Sequence, residues 1–379
     1  MKYLSSSLFL AIITLMGIGL VQVYSSSFIF AIESYGDGLF FFKRQLLFSL
    51  ISLGVLVGMV HLPFRYIEKA GWALWLLAGV LVAATFIPGL GVRVGGALRW
   101  IQLPFGLRFE PGEMLKITFS VLFASLLCRQ ENILSRVKPH WLALFFAAPL
   151  ALLLKQPDFG SFAIILIVGV TLLFAFGLQW RYILASLAVM VPAFYFLVMN
   201  VPYRRARVLA FLDPWADPAQ KGFQVIQSML SFQSGGLTGA GLGQGQGKLF
   251  FLPEAHTDFT LAVFGEEMGF IGFVLLLALY GFVIFRGIQI AVKSESRFAK
   301  AMVLGLILTF AFSVFINSGV VMGLLPTKGL TLPFMSYGGS SLLMLCFMFG
   351  LILNVENQME SENSFAKRLA KNRSWMSKV

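Results

Sequence analysis

Lys248-Leu-Phe-Phe-Leu-Pro-Glu254-Ala-His256-Thr-Asp258-Phe-Thr-Leu-Ala-Val-Phe-Gly-Glu266-Glu267 takes a polar loop directly into an apolar run. Five charged residues and a histidine fall in this one stretch of a chain that is otherwise mostly hydrocarbon. Ionisable groups at or inside a bilayer are expensive, so such a cluster marks a functional site. The plainer reading is an interfacial cap, with Thr257 or Asp258 opening the helix and Glu254 among headgroups. Capping uses one or two such groups and leaves the others unexplained.

The rest of the composition agrees with a membrane chain. Of 379 residues, 58% are hydrophobic and 12% charged, about half the charged share of a soluble domain. The mean hydropathy is +0.84. Phe (40) and Gly (37) are frequent, as suits helices packed closely in lipid. In a soluble protein a net charge of +12 would suggest nucleic acid. Here it reads as inside anchoring plus attraction to anionic headgroups, and no zinc or nucleic-acid motif is present. Cys128 and Cys346 read as small apolar residues, not a disulfide or a metal site.

A spanning helix needs about 20 mostly apolar residues. The runs predict ten spans, near 8–30, 45–62, 72–88, 112–128, 141–154, 160–178, 181–199, 258–285, 300–324 and 334–354. The first run is too long for a signal-peptide core and reads as an uncleaved span. The expected fold is an all-α polytopic membrane protein of about ten transmembrane helices. It has a single domain over 1–360, both termini cytoplasmic, and a disordered basic tail over 361–379. The tail residues Lys367, Arg368, Lys371, Arg373 and Lys378 are the firmest inside anchor. A long extracytoplasmic loop, about 200–257, lies between spans seven and eight.

The outside is unusually basic for an outside. It holds Arg93, Arg99 and Arg108, then Arg204, Arg205 and Arg207, with Lys248 and Lys328 beyond them. Charges placed against the topology bias suit an anionic headgroup such as a diphosphate, or simply solvated loops. In the long loop, 222–233 has a helical apolar stripe and reads as an amphipathic helix on the outer leaflet. The glycine-dense stretch Ser234–Gly247 lets backbone approach a ligand or fold tightly, and it matches no nucleotide-binding pattern. Three further polar features fall on the same side. Glu110-Pro-Gly-Glu113-Met-Leu-Lys116 opens span four, with Glu113 and Lys116 spaced for a local ion pair. Lys155-Gln-Pro-Asp158-Phe-Gly160 joins spans five and six. Gly323 to Ser341, with two prolines and with Ser336, Tyr337 and Ser340, implies non-helical backbone at membrane depth, tolerated only where it is buried in protein or lines a cavity.

These motifs together are familiar. Leu252-Pro-Glu-Ala-His-Thr-Asp-Phe259, Gly265-Glu-Glu-Met-Gly269, Tyr203-Arg-Arg-Ala-Arg207 with Phe211-Leu-Asp-Pro-Trp215, Gln156-Pro-Asp-Phe-Gly160 and Leu325-Pro-Thr-Lys-Gly-Leu-Thr-Leu-Pro-Phe-Met-Ser-Tyr-Gly-Gly-Ser-Ser341 resemble the SEDS family (shape, elongation, division, sporulation). The resemblance covers nearly the whole chain. It is closest to the FtsW division branch, with the RodA elongation branch second. It implies a glycosyltransferase that polymerises lipid II into β-1,4 glycan strands with inversion, at the outer face of the bacterial cytoplasmic (inner) membrane. It also implies as partners the growing strand, a class B penicillin-binding protein and other divisome membrane proteins. The family's essential aspartate falls on Asp258. Two departures stand out. Glu110-Pro-Gly-Glu113 replaces the usual Gln-Pro-Ser-Glu, and Gly95-Gly-Ala-Leu98-Arg99-Trp100 replaces Asn-Gly-Ala-Arg-Arg-Trp.

An inverting transfer needs a base at the acceptor hydroxyl and charge stabilisation at the departing diphosphate. Asp258 is the candidate base. Glu254 assists it or shares a divalent cation with it, Mg or Mn, and no organic cofactor is expected. Arg204, Arg205, Arg207, Lys248 and Lys328 are candidates for the diphosphate, and Arg99 belongs to the wider candidate substrate surface. His256, Glu113, Lys116, Asp158, Ser336, Tyr337 and Ser340 complete the candidate substrate surface. For Glu266 and Glu267, pairing inside the bundle is expected. A lipid II flippase and a non-catalytic scaffold for a synthase are the competing readings. Clustering of the ionisable groups at one face, not the midplane, argues against the flippase, and a scaffold leaves the acid cluster unexplained.

Overall fold

The computed structural model describes residues 6–376 other than 95, 129–138, 178, 182–183, 185–187, 189–191, 193–194, 197–198, 201, 219–221 and 328. Most of the span expected over 181–199 lies outside these residues, as do Arg129, Arg136, Lys138, Lys221 and Lys328.

Apolar runs bounded by glycine, proline or polar residues become helices. They are α1 (Ser7–Tyr35), α2 (Phe40–His61), α3 (Phe64–Ala84), α4 (Pro111–Cys128), α5 (Pro139–Lys155) and α6 (Phe159–Ala175). After the partly described segment come α7 (Pro202–Leu212), α8 (Phe223–Gly235), α9 (Thr260–Lys293), α10 (Arg297–Val321) and α11 (Gly339–Met376). Among the described residues, seven helices are long and apolar enough to cross a membrane (α1 to α4, α9, α10 and α11), and α5 and α6 supply shorter apolar segments. The chain is a multi-pass membrane protein. Helices α4, α10 and α11 form its centre, with Leu115, Leu122, Phe310, Met302, Phe349 and Leu353 buried. The other helices turn long apolar faces outward, as lipid contact requires.

Polar side chains inside the bundle bond to backbone that the helices leave unsatisfied. Asn354 donates from Nδ2 to the carbonyls of Met59, Val60 and Leu62, closing the C-terminal end of α2. At the same face Glu356 accepts from Arg286 at 2.9 Å and from Ser6 at 2.6 Å.

Three features depart from the expected architecture. The loop before α4 is a small antiparallel sheet, β1 (Gly91–Val94), β2 (Ala97–Gln102) and β3 (Arg108–Phe109), with β2 central. Helix α8 forms as expected, but it seats Val225, Ile226 and Ser228 against the bundle instead of lying free on a leaflet. Its Ser228 hydroxyl donates to the Val321 carbonyl at 2.6 Å, at the end of α10. The last helix runs on to Met376, through most of the segment expected to be a disordered tail. Residues 361–376 contain neither glycine nor proline, so no local signal stops the helix there.

Helix α9 is broken. Gly269 has φ 66° and ψ −171°, a conformation that only glycine adopts readily. The break frees backbone groups that the glycine-rich loop takes up. Phe270 and Ile271 donate to the carbonyls of Gly236 and Leu237, and Ala240 and Gly241 donate to those of Glu266 and Glu267. A side chain on Gly239 would collide with the Glu267 carbonyl, and one on Gly269 with the Gly239 amide. Of the two uses the glycine density allowed, it serves the tight fold.

Candidate active site

Helix α9 starts at Thr260 with Phe259 as N-cap, so Asp258 lies in the turn before it. Neither Thr257 nor Asp258 caps the helix, which removes the plain capping account of the cluster. The turn is held by Glu254, whose carbonyl accepts from the amides of Thr257 at 3.1 Å and Phe259 at 3.2 Å. The Glu254 carboxylate is exposed and takes a 2.7 Å hydrogen bond from the Thr257 hydroxyl.

Asp258 is half-buried. Its carbonyl accepts from Asn317 Nδ2 at 3.0 Å, and the same nitrogen donates to the Leu330 carbonyl at 2.6 Å. Asn317 therefore ties the Asp258 turn to the 322–338 loop. A second tie runs from the Tyr337 amide to the His256 carbonyl at 2.9 Å. The His256 ring is 5.3 Å from Phe30 in a stacked arrangement and 4.8 Å from Phe41. Burial pushes the His256 pKa down, against a partial opposing pull from Glu254. The ring packs against Phe30 and Phe41 and anchors the loop there, where the sequence reading places His256 on the substrate surface.

Arg99 comes to the same place from the sheet. Strand β2 carries a bulge: Val92 faces Trp100 and Arg93 faces Leu98, so Arg99 is the extra residue between them. A bulge re-aims the side chain it carries. Here Arg99 Nη2 donates to the Pro157 carbonyl. Nη1 lies 3.3 Å, and Asp258 Oδ2 3.4 Å, from the point where a Cβ on Gly329 would sit. Arg99, Asp258 and Gly329, far apart in sequence, meet at one point.

Behind Arg99 is a compact charged group. Glu113 accepts from Lys116 at 2.7 Å, the local pair expected from their spacing, with Lys116 buried. Asp158 is buried, takes the Ser161 amide at 3.2 Å and caps α6. The Glu110 amide donates to Ser340 Oγ at 3.1 Å, and that hydroxyl donates on to the Arg108 carbonyl at 3.1 Å. The Glu110 carboxyl is pushed up to about 8, first by desolvation and then by Glu113 and Asp158, against a pull from Arg99 and Lys116. A folded-state pKa above the unfolded value of 4.5 means that Glu110 stabilises the fold in its protonated form. That contribution is full below about pH 4.5 and lost as pH rises through about 8. Glu110→Gln is accordingly expected to flatten the decline in thermal stability across this window, measured as Tm at intervals from pH 5 to 9. An unchanged decline would remove Glu110 as its source.

Several sequence candidates are placed elsewhere. Lys248 does not face a diphosphate: it is buried, 2.6 Å from Glu267 Oε1 and 3.0 Å from Ser25 Oγ. Glu266 accepts from the amides of Gln246 and Gly247 at 2.7 and 3.0 Å. Both acids are thus paired inside the bundle, as expected. Ser336 and Ser340 are buried and bonded to backbone, Ser336 Oγ accepting from the Leu332 amide at 2.9 Å. Neither serine presents a free hydroxyl to substrate. Tyr337 is half-buried, with its ring 4.9 Å from Phe41. Arg205 is exposed on α7, while the side chains of Arg204 and Arg207, and all of Lys328, lie outside the described residues. A cavity of about 350 Å³ between α8 and the break in α9 is lined by Met229, Phe232, Phe270, Phe273 and Met322, and is too apolar for the chemistry of charged groups.

Among the described residues no group of three or more His, Cys, Asp and Glu side chains is set to hold a metal. Mg²⁺ commonly takes one or two carboxylates and completes its shell with water and substrate phosphates. Glu254 and Asp258 fit that smaller requirement in number and type.

Comparison with known proteins places this arrangement in context. A family model described as cell cycle protein, covering FtsW, RodA and SpoVE, matches residues 6–361. A Geobacter metallireducens protein named probable peptidoglycan glycosyltransferase FtsW is 42% identical over 346 residues, 90% of this chain and 92% of that protein. One of the same name from Saccharophagus degradans is 39% identical over 377 residues, 97% of this chain and 96% of that protein. A solved structure described as the structural coordination of polymerization and crosslinking by a peptidoglycan synthase complex superposes with TM-score 0.76 at 30% identity, covering 93% of this chain and 97% of that one. The Thermus thermophilus rod shape determining protein RodA superposes with TM-score 0.68 at 26% identity, covering 93% and 96%.

Proposed function

This chain belongs to the SEDS family of FtsW, RodA and SpoVE cell cycle proteins, in its FtsW branch, and from that premise we propose how it acts as a peptidoglycan glycosyltransferase. Its substrate is lipid II, and its product is the β-1,4 glycan strand of the division septum. The face bearing Asp258 looks out of the bacterial inner membrane, because the basic residues 367–378 hold the C-terminus inside. A class B penicillin-binding protein supplies the crosslinking activity, alongside other divisome membrane proteins.

The observation that carries this reading is the half-buried Asp258 carboxylate, facing the Arg99 guanidinium across Gly329. Asp258 accepts the acceptor hydroxyl's proton as that oxygen attacks the anomeric carbon from the face opposite the diphosphate. General-base assistance of this kind contributes typically 10²–10⁴-fold. Arg205, exposed on α7, is offered to the diphosphate, and Arg204, Arg207 and Lys328 remain further candidates from the sequence. A divalent cation held by Glu254 and Asp258 would neutralise charge on the leaving diphosphate.

The test is polymerisation of lipid II by the purified chain with its cognate partner in detergent. Detergent leaves no second compartment, so a flippase yields no polymer there. Glycan strands are expected from the complex and far fewer from the chain alone. Absence of strands across a range of added Mg²⁺ and Mn²⁺ would overturn the reading.

A further inference from the structure

The charged group around Arg99 holds five ionisable side chains. Arg99 comes from β2, Glu113 and Lys116 from α4 and Asp158 from the turn before α6, and all four act on the Glu110 carboxyl. Helix α11 adds a hydroxyl, Ser340, which takes the Glu110 amide at 3.1 Å. The charges pair off unevenly. Lys116 is matched by Glu113 at 2.7 Å. Arg99 holds the Pro157 carbonyl, and the next residue is the buried Asp158. That leaves one cation against two acids, Asp158 and Glu110. Asp158 accepts the Ser161 amide, whereas among the described residues the Glu110 carboxyl has no hydrogen-bond or ion-pair partner. The proton that balances the group therefore belongs on Glu110, because an acid taken from water without a partner keeps its proton. The upward shift of the Glu110 pKa to about 8 agrees. Glu110 is also a departure from the family pattern, which has a glutamine there.

Arg99 joins this group to the Asp258 turn. Its Nη1 and Asp258 Oδ2 both approach Gly329, so its charge acts where the proposed base meets substrate. With Glu110 protonated, the group holds two cations and two carboxylates and is neutral. With Glu110 ionised it holds three carboxylates, and the added anion offsets the Arg99 charge. Lipid II is an anion through its diphosphate, so a net negative group at the site repels it. We propose that Glu110 is a positioning residue for this anionic substrate: its carboxyl proton keeps the Arg99 charge free for the head group, and loss of that proton weakens the hold on lipid II. This rests on lipid II being the substrate. No bond of the substrate changes in this step. Glu110 is half-buried, so its proton exchanges with water.

The test titrates fluorescent lipid II onto the chain and its cognate partner in detergent, at intervals from pH 6 to 9 and below the Tm at each pH. Wild type is expected to bind about tenfold more weakly at pH 9 than at pH 7, the ratio of protonated fractions for a group titrating near 8. Return to pH 7 should restore the affinity. Glu110→Gln cannot ionise and is expected to hold one affinity across the range. By reciprocity, lipid II binding at pH 9 takes up a proton in wild type and none in the variant, read by calorimetry in two buffers of different ionisation heat. A wild-type affinity that ignores pH, or a fall of the same size in Glu110→Gln, overturns the proposal. Should Glu110→Gln fail to fold, Glu110→Met takes its place, and absence of proton uptake by wild type sinks the proposal without any variant. Strands formed by a complex whose affinity ignores pH remove Glu110 and leave the glycosyltransferase standing. An affinity that titrates with Glu110 in a complex that makes no strands does the reverse.

Discussion

Asp258→Asn is expected to reduce lipid II polymerisation by about 10²–10⁴-fold, the usual contribution of a positioned general base. The substitution keeps the size and shape of the side chain and removes its charge and basicity. It keeps the backbone contacts that place the turn: the Asp258 carbonyl accepts from Asn317, and the Thr257 and Phe259 amides bond to Glu254. Folding and partner binding should therefore survive, and co-elution with the partner on size exclusion checks this before any rate is read. Glycan strands on a gel, followed over time at saturating lipid II, give the rate. Nearly wild-type strand formation by a folded, partner-bound variant would remove Asp258 from the chemistry. Attention would then pass to Glu254, the exposed carboxylate of the same turn, ahead of Glu113, which already has an ion partner in Lys116.

The spans were legible because the bilayer leaves few ways to bury a backbone. Among the described residues, seven of the ten expected runs coincide with helices long and apolar enough to cross a membrane, and two more with the shorter apolar helices α5 and α6. The break in α9 was not legible, because Gly269, two residues after Glu267, sits in a run whose average hydropathy still reads as one span. A sliding average cannot distinguish a glycine that permits close packing from one that reverses the chain's local handedness. The partner of that break was half visible: the glycine density of 235–247 announced a close backbone approach without saying to what. The sheet has a clearer trace in the sequence. Gly95-Gly96 stands between Val92-Arg-Val94 and the alternating Ala97–Gln102 stretch, which is a hairpin signature inside a loop. Its bulge, which decides where Arg99 points, is a matter of register and has no signature in one strand alone. Asp258 could be found through the family resemblance and the density of charge around it. Its neighbours Arg99 and Gly329 could not, since only the fold brings 99, 258 and 329 together.

Lys248 shows how charge against the topology bias has two physical explanations. A cation on the outer side serves a ligand or a buried partner, and sequence position alone does not separate the two. The structure gives the second: the Lys248 and Glu267 side chains are 5% and 0% exposed and 2.6 Å apart, with Ser25 Oγ donating to the same carboxylate oxygen at 2.6 Å. Lys248→Met is therefore expected to destabilise the protein by about 3–5 kcal/mol, the cost of leaving a buried charge without its partner. Replacing both residues, Lys248→Met with Glu267→Leu, should recover much of that loss, because an apolar pair of similar volume is often no worse than a buried ion pair. Thermal unfolding in one detergent, for both single variants and the double, measures the coupling directly. Loss of activity would accompany the single variant only to the extent that its fold is lost. The loop that carries His256 and Asp258 follows Lys248 directly, so loosening this pair frees the turn from α1 and α9 together. A Lys248→Met protein that melts like wild type yet fails to polymerise lipid II would reverse the assignment and return this lysine to the substrate.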